Sequence, residues 1–474
     1  LTMTWQEIDT GVYRTKFGGS EQIYHRVGAL FAGFKKEHYR VHCVCSLEFG
    51  PDFKRDAAAS VKEAWKLLRT ELPTLGVVAD GPSHRIYKVL DAQGEQDWLR
   101  KTFFVEPPGK TSNEIIAREP GELPTVHWLP STSEVVFSCS HWRIDALGTN
   151  WIVDRLLALI ANPDQVQPVP QTVDSISLAL EDAYGSTHSC SPEQEAFARA
   201  HVARFRENSF PNDRLPYKGD ASSPPGNSVR ATMVFNPATT AALIAACKAH
   251  DITITTATMS ALGQAVFGLA DIDKREPRRE KHDFTFATSV NVRPKLQPPY
   301  HTRAHATQTY VAGTGCRVRR GASFLESAQA LHKHFQETYA DDRILQSLRA
   351  VYRFNSDATP VNQKEREGVN ATTTTATQPP STPALPPSNI TISSLGIIDK
   401  YVAGEYGQGT EGTPLVRVRD YHFGIEMMTR QMVTYVGTFR GRLQVSISYN
   451  EGYYDEDVPK DILRRIKEAL AEGL

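Results

Sequence analysis

The chain has 474 residues, with 53 basic and 54 acidic side chains and a formal net charge of −1. That balance supplies no global field to draw the protein onto nucleic acid or an anionic membrane. Hydrophobic residues make up 40% and charged residues 23%, an ordinary globular composition whose length suits two or three lobes.

No apolar run approaches the ~20 residues that a membrane-spanning helix needs. The N-terminal residues mix Trp5, Glu7 and Asp9 and lack the charged head and apolar stretch of a signal peptide. A chain that starts at Leu1 is expected to lack its native beginning, and a cytoplasmic location and a monomeric state are expected. Six cysteines over this length are too few for a disulfide scaffold.

In chain order, Ile23, Val27, Leu30 and Phe31 fall at helical spacing and predict a helix over 22–33. A strand is predicted over 39–49, where Val41, Cys43 and Cys45 alternate with His42 and Val44. An Ala-, Lys-, Glu- and Leu-rich helix follows at 57–72. Short strands are predicted at 84–90, 98–105, 125–129 and 134–140. The segment 150–160 is a strongly apolar helix.

A polar helix at 191–208 then gives way to a Pro-, Gly-, Asp- and Ser-rich run at 211–227, a linker composition. Beyond it come a strand (229–235), helices (241–249 and 255–269), a strand (283–292) and one long helix (323–354). Residues 359–388 are rich in Thr, Pro, Ala and Gln without apolar period and predict a mobile insertion. A hairpin over 431–439 and 443–449 turns at Arg440-Gly441-Arg442. Val458, Ile462, Ile466 and Leu470 predict a closing amphipathic helix. The mixture of helices and strands predicts an α/β (α+β) protein with an N-terminal lobe at 1–190, a linker at 191–227 and a C-terminal lobe at 228–474.

Several short patterns fail on context. Gly407, Gly409 and Gly412 match a dinucleotide fingerprint, but 415–421 reads as a strand where a helix is required. Gly109-Lys110-Thr111 lacks the earlier glycine of a phosphate-binding loop, since Phe104 occupies that position. No GxSxG nucleophile elbow and no HExxH zinc motif occurs. Cys43 and Cys45 have no partner pair, so no metal site is expected. The run 274–281 carries Lys274, Arg275, Arg278, Arg279 and Lys281, either as a solvated connection or as a rim for an anionic co-substrate.

One segment carries chemistry. An apolar strand ends at Ser140, His141 follows, and Asp145 stands four residues on, just before an apolar helix. Of 15 histidines, only His141 has aspartate at that spacing. A turn between a buried strand and a buried helix is where α/β proteins display reactive groups. A neutral imidazole near its ordinary pKa of ~6.5 can take a proton from an alcohol at neutral pH. Asp145 can serve the helix N-terminus or reach a cation elsewhere. The bland alternative is a core histidine with an N-capping aspartate and no chemistry.

The segment His141-Trp142-Arg143-Ile144-Asp145-Ala146 resembles the HxxxD motif of the chloramphenicol acetyltransferase, condensation-domain and BAHD acyltransferase superfamily. Ser289-Val290-Asn291-Val292-Arg293-Pro294, Ile390 to Gly396 and Ser446 to Asn450 resemble it as well, in the same order along nearly the whole chain. Within it, the chain resembles the fungal trichothecene 15-O-acetyltransferases. Ser140 stands where condensation domains carry a first histidine, Ala146 replaces their glycine, and Asp420-Tyr421-His422-Phe423-Gly424 departs from the plant DFGWG motif.

The resemblance implies two chloramphenicol-acetyltransferase-like lobes with a tunnel between them. It implies His141 as catalytic base and Asp145 as its structural support, paired with Arg293 of the second lobe. It also implies acetyl-CoA as co-substrate without a tightly bound cofactor, and a trichothecene-like sesquiterpenoid alcohol as acceptor. The rivals are a condensation-type enzyme using a carrier-protein-bound acyl donor and a non-catalytic binding protein of the same fold.

Overall fold

The computed structural model describes residues 5–187, 189–207, 215–220, 222–272, 281–357 and 388–474. The described chain forms two compact units. The first joins residues 1–189 to two later segments, 291–311 and 398–426; the second holds 190–290, 312–397 and 427–474. The chain therefore returns twice to the first unit, and Arg293 lies there with His141 and Asp145, not in a lobe made of 228–474.

The first unit is built on a six-stranded sheet in the order Glu405–Tyr406, Val416–Ile425, Val41–Phe49, Glu134–Cys139, Thr125–Leu129 and Phe103–Val105. Only the last pair is parallel. Strand Val41–Phe49, within the strand predicted over 39–49, is buried on both faces as far as Leu47 apart from Ser46. Helices Ala57–Glu71 and Ala146–Ala161 pack together in this unit and bury Trp65, Leu68, Ile152, Leu156 and Ile160. A second sheet orders Gln6–Asp9, Val12–Lys16, His84–Lys88 and Val78–Asp80.

The second unit carries a four-stranded sheet in the order Ile390–Ile397, Met432–Phe439, Arg442–Asn450 and Ser228–Val234. Its core helix is Ile254–Ile272, and the closing helix Asp457–Gly473 buries Ile462, Ile466 and Leu470 along one stripe. No single helix among the described residues is long and apolar enough to cross a membrane. All six cysteines are free.

Two predicted elements differ from the structure for identifiable reasons. The strand expected at 98–105 is a helix, Ala92–Thr102, that leads into the short strand Phe103–Val105. Its N-cap is Asp91, which accepts from the Gly94 amide at 2.8 Å, and Trp98 and Thr102 face the core one turn apart. The single helix expected at 323–354 is broken into Phe324–Ala340, Arg343–Gln346 and Leu348–Asp357. Asp341 accepts from the Arg343 amide at 2.9 Å, an Asx turn that offers the backbone an alternative to continuing. Segment 407–412 leads into the strand Val416–Ile425, so it is a loop. The insertion expected at 359–388 lies outside the described residues except for Ser388, which is buried and donates to the Leu215 carbonyl.

Candidate active site

Strand Glu134–Cys139 is an inner strand of the six-stranded sheet, and its last residues deliver the His141 turn. Ser140 remains extended, His141–Arg143 make one 3₁₀ turn, and Ile144 returns to extended backbone before the helix Ala146–Ala161. Ser140 donates to Glu37 Oε2 at 3.1 Å, so the residue standing in place of a condensation domain's first histidine is tied to a carboxylate.

Asp145 is the N-cap of that helix and is 2% exposed. Its Oδ1 accepts from the Gly148 amide at 2.8 Å. Its Oδ2 accepts from Arg293 Nη1 at 2.6 Å and from the Tyr310 amide at 2.8 Å. Arg293 is equally buried, donates from Nη2 to the Gln308 carbonyl at 3.0 Å, and lies against the rings of Trp151 and Tyr310. The close approach of segment 291–311 depends on Gly148, because a Cβ there would sit 2.1 Å from the Ala306 carbonyl oxygen. The carboxylate is thus committed to backbone amides and a guanidinium, and it makes no hydrogen bond to His141.

His141 is held by other contacts. Thr309 donates from Oγ1 to the His141 carbonyl at 2.6 Å. The Tyr24 ring stacks on the imidazole with centroids 4.1 Å apart and planes 5° from parallel. Tyr39 meets it edge-on at 6.4 Å. Tyr39 itself has a φ of 67°, a left-handed conformation that is costly for a bulky side chain. Burial pushes the His141 pKa below its ordinary value, with the backbone of His141 and Ile144 and the Asp145 charge opposing. The imidazole is therefore neutral at neutral pH, the form a general base requires.

Acidic and basic groups beside this turn are also perturbed. Burial raises Glu37 and Glu426, Glu426 to about 8, and lowers His38 to about 3. Both carboxyl oxygens of Glu426 are buried without a hydrogen-bond partner. A carboxyl whose folded pKa lies above its ordinary 4.5 adds stability in full below that value, and loses it as pH rises through about 8. Glu426→Gln removes this loss. Its Tm is expected to match that of the unaltered protein at about pH 4 and exceed it at about pH 9, where the difference in stability is a few kcal/mol. Thermal unfolding of both proteins at the two pH values measures it, and equal Tm values at pH 9 would refute the buried-acid assignment.

Of the residues expected from the sequence, the structure brings together His141, Asp145 and Arg293. Lys274, Arg275, Arg278 and Arg279 lie outside the described residues. Lys281 is exposed and pairs with Asp271 at 3.0 Å. Sequence reasoning missed Tyr24, Gln308, Thr309 and Tyr310, which carry no local motif and reach the turn only through folding.

Residues 224–448 match the family described as phthiocerol/phthiodiolone dimycocerosyl transferase C-terminus. The chain is 37% identical to the O-acetyltransferase pigM of Monascus ruber over 475 residues, covering all of this chain and 87% of pigM. It is 29% identical to azaphilone biosynthesis cluster protein M of Aspergillus terreus, over 97% of this chain and 95% of that protein. Its fold is similar to that of the TRI3 trichothecene 15-O-acetyltransferase from Fusarium sporotrichioides, with a TM-score of 0.77 at 17% identity, covering 99% and 98% of the two chains. With a mixed α/β fold of the chloramphenicol acetyltransferase and condensation-domain kind and pigM 37% identical along the whole of this chain, the chain belongs to the family of fungal O-acetyltransferases that includes pigM, and it is an acetyltransferase.

Proposed function

We propose that the chain moves an acetyl group from acetyl-CoA to a hydroxyl of a fungal secondary metabolite, with His141 as general base. The observation that carries this reading is the state of His141. It is a buried imidazole on a strand-to-helix turn, held below its ordinary pKa by that burial, and its nearby carboxylate is committed to Arg293 and backbone amides. Asp145 then works as the support that holds the turn in place.

In this mechanism the imidazole takes the acceptor hydroxyl proton as the oxygen attacks the thioester carbonyl. The C–O bond forms and a tetrahedral oxyanion results. Collapse of that oxyanion breaks the C–S bond, and the imidazolium returns its proton to the departing CoA sulfur. No acyl-enzyme is required, and no nucleophile motif in the sequence calls for one. The basic run 274–281 is proposed to meet the phosphates of CoA.

The acceptor is a narrower proposal. Resemblance of the motifs favours the 15-hydroxyl of a trichothecene, and TRI3 shares the fold. The relative named for an azaphilone biosynthesis cluster stands at higher identity, 29% against 17% for TRI3. Incubating the enzyme and acetyl-CoA with 15-hydroxy trichothecenes and with hydroxylated azaphilones, and following free thiol, separates the two. Thiol release with neither class, and acylation only from a carrier-protein thioester, would overturn the acetyl-CoA reading.

A further inference from the structure

A general base must keep its ring aimed at the proton that it removes. Asp145 cannot do this for His141, since its two oxygens serve Gly148, Arg293 and Tyr310. Nδ1 of His141 is buried and meets no side-chain hydrogen-bond partner, only the backbone of its own turn. The Tyr24 ring lies nearly parallel to the imidazole and covers one of its faces, with centroids 4.1 Å apart.

We propose that Tyr24 is the positioning residue of the site: its ring, stacked on His141, fixes the plane of the imidazole and keeps water off that face. The proposal rests on His141 being the base. An ion pair or hydrogen bond aims a ring through one atom, whereas a stacked ring restrains the whole plane and leaves both nitrogens unobstructed at their edges.

The fold holds Tyr24 tightly enough for this task. Helix Gly19–Ala29 carries it, and Glu21 in the first turn is completely buried. Glu21 accepts from the Gly18 amide at 2.6 Å, from Arg85, and from Gln308 Nε2 at 2.8 Å. The Gln308 carbonyl takes Arg293 Nη2, and the next residue, Thr309, holds the His141 carbonyl. The Gly19 amide donates to Glu181 Oε1 at 2.8 Å. One chain of buried polar groups thus fixes the stacking ring, the backbone of His141 and the Asp145 carboxylate together.

The titratable groups around the imidazole are Tyr24 on this helix, Tyr39 before the strand Val41–Phe49, and Asp145 behind the turn; Glu37 follows through Ser140. Of these, Tyr24 is the one whose removal exposes a face of the ring.

The test is steady-state kinetics with acetyl-CoA and an accepted alcohol. Tyr24→Leu is expected to lower kcat by about 10- to 100-fold through misalignment, with KM for acetyl-CoA within about twofold. With a face of the ring opened to water, the acid limb of kcat/KM is expected to move upward toward ~6.5. Tyr24→Phe keeps the ring and is expected to rescue most of the loss. In a His141→Ala background, Tyr24→Leu is expected to have no further effect.

Unchanged kcat in Tyr24→Leu, equal losses in Leu and Phe variants, or additive losses in the double variant would each overturn the proposal. Should the leucine variant not fold by circular dichroism, Tyr24→His replaces it: a flat ring with rescued kcat supports the proposal, and a full loss overturns it. Full activity in His141→Ala alone would instead strike the general-base reading, and the proposal would fall with it.

Discussion

Replacing His141 by alanine is expected to lower kcat for acetyl transfer by about 10²- to 10⁴-fold, the usual contribution of a positioned general base. The change should leave the fold intact. His141 contributes a ring stacked on Tyr24, while the turn's backbone is fixed by Thr309 and the Asp145 cap. KM for acetyl-CoA should move little, because the imidazole acts on the acceptor hydroxyl. Thiol release from acetyl-CoA in saturating alcohol reads the effect directly. A variant with native circular dichroism that kept more than about a tenth of the activity would exclude His141 as the base.

The Asp145–Arg293 pair should behave in the opposite way, through stability first. Both residues are 2% exposed, so removing one leaves the other as an uncompensated buried charge. Such losses cost about 3–5 kcal/mol. Asp145→Asn and Arg293→Ala are each expected to lower Tm by roughly 10 °C, with reduced activity following from a loosened turn. Arg293→Lys should recover only part of this, since one ammonium cannot reproduce the fork to Asp145 and the Gln308 carbonyl. The double variant Asp145→Ala/Arg293→Met should be less destabilised than the sum of its parts. An Asp145→Asn protein with unaltered Tm and no activity would contradict the structural assignment and give the carboxylate a chemical role.

The parts of this site that could be read in the sequence are the local ones. The apolar strand, the histidine at its end and the aspartate before an apolar helix are contiguous, and the Asp145-to-Gly148 cap is a local signal. The pairing with Arg293 came from resemblance, because nothing in composition links two charges so far apart in the chain. Tyr24 was out of reach for the same reason: its helix shows an apolar period but nothing that points toward residue 141. The second unit's hairpin was legible because Arg440 and Gly441 both adopt left-handed backbone in a two-residue loop, a turn that glycine signals. Helix Ala92–Thr102 was not, because Trp98-Leu99 and Phe103-Phe104 sit close enough to mimic a strand run. The crossing of 291–311 and 398–426 into the first unit follows from packing alone, and a linear division at a linker cannot show it.

The charge balance leaves specificity to local groups, and those groups make the central claim measurable. The pH dependence of kcat/KM for acetyl transfer reports the proton affinity of the base in the free enzyme. With burial pushing His141 below its ordinary value, the profile is expected to stay flat through neutral pH and to fall along an acid limb with an apparent pKa below ~6.5. That limb should vanish from the residual activity of His141→Ala. An acid limb at or above ~6.5, or one that persists unchanged without the imidazole, would contradict the assignment of His141 as the base.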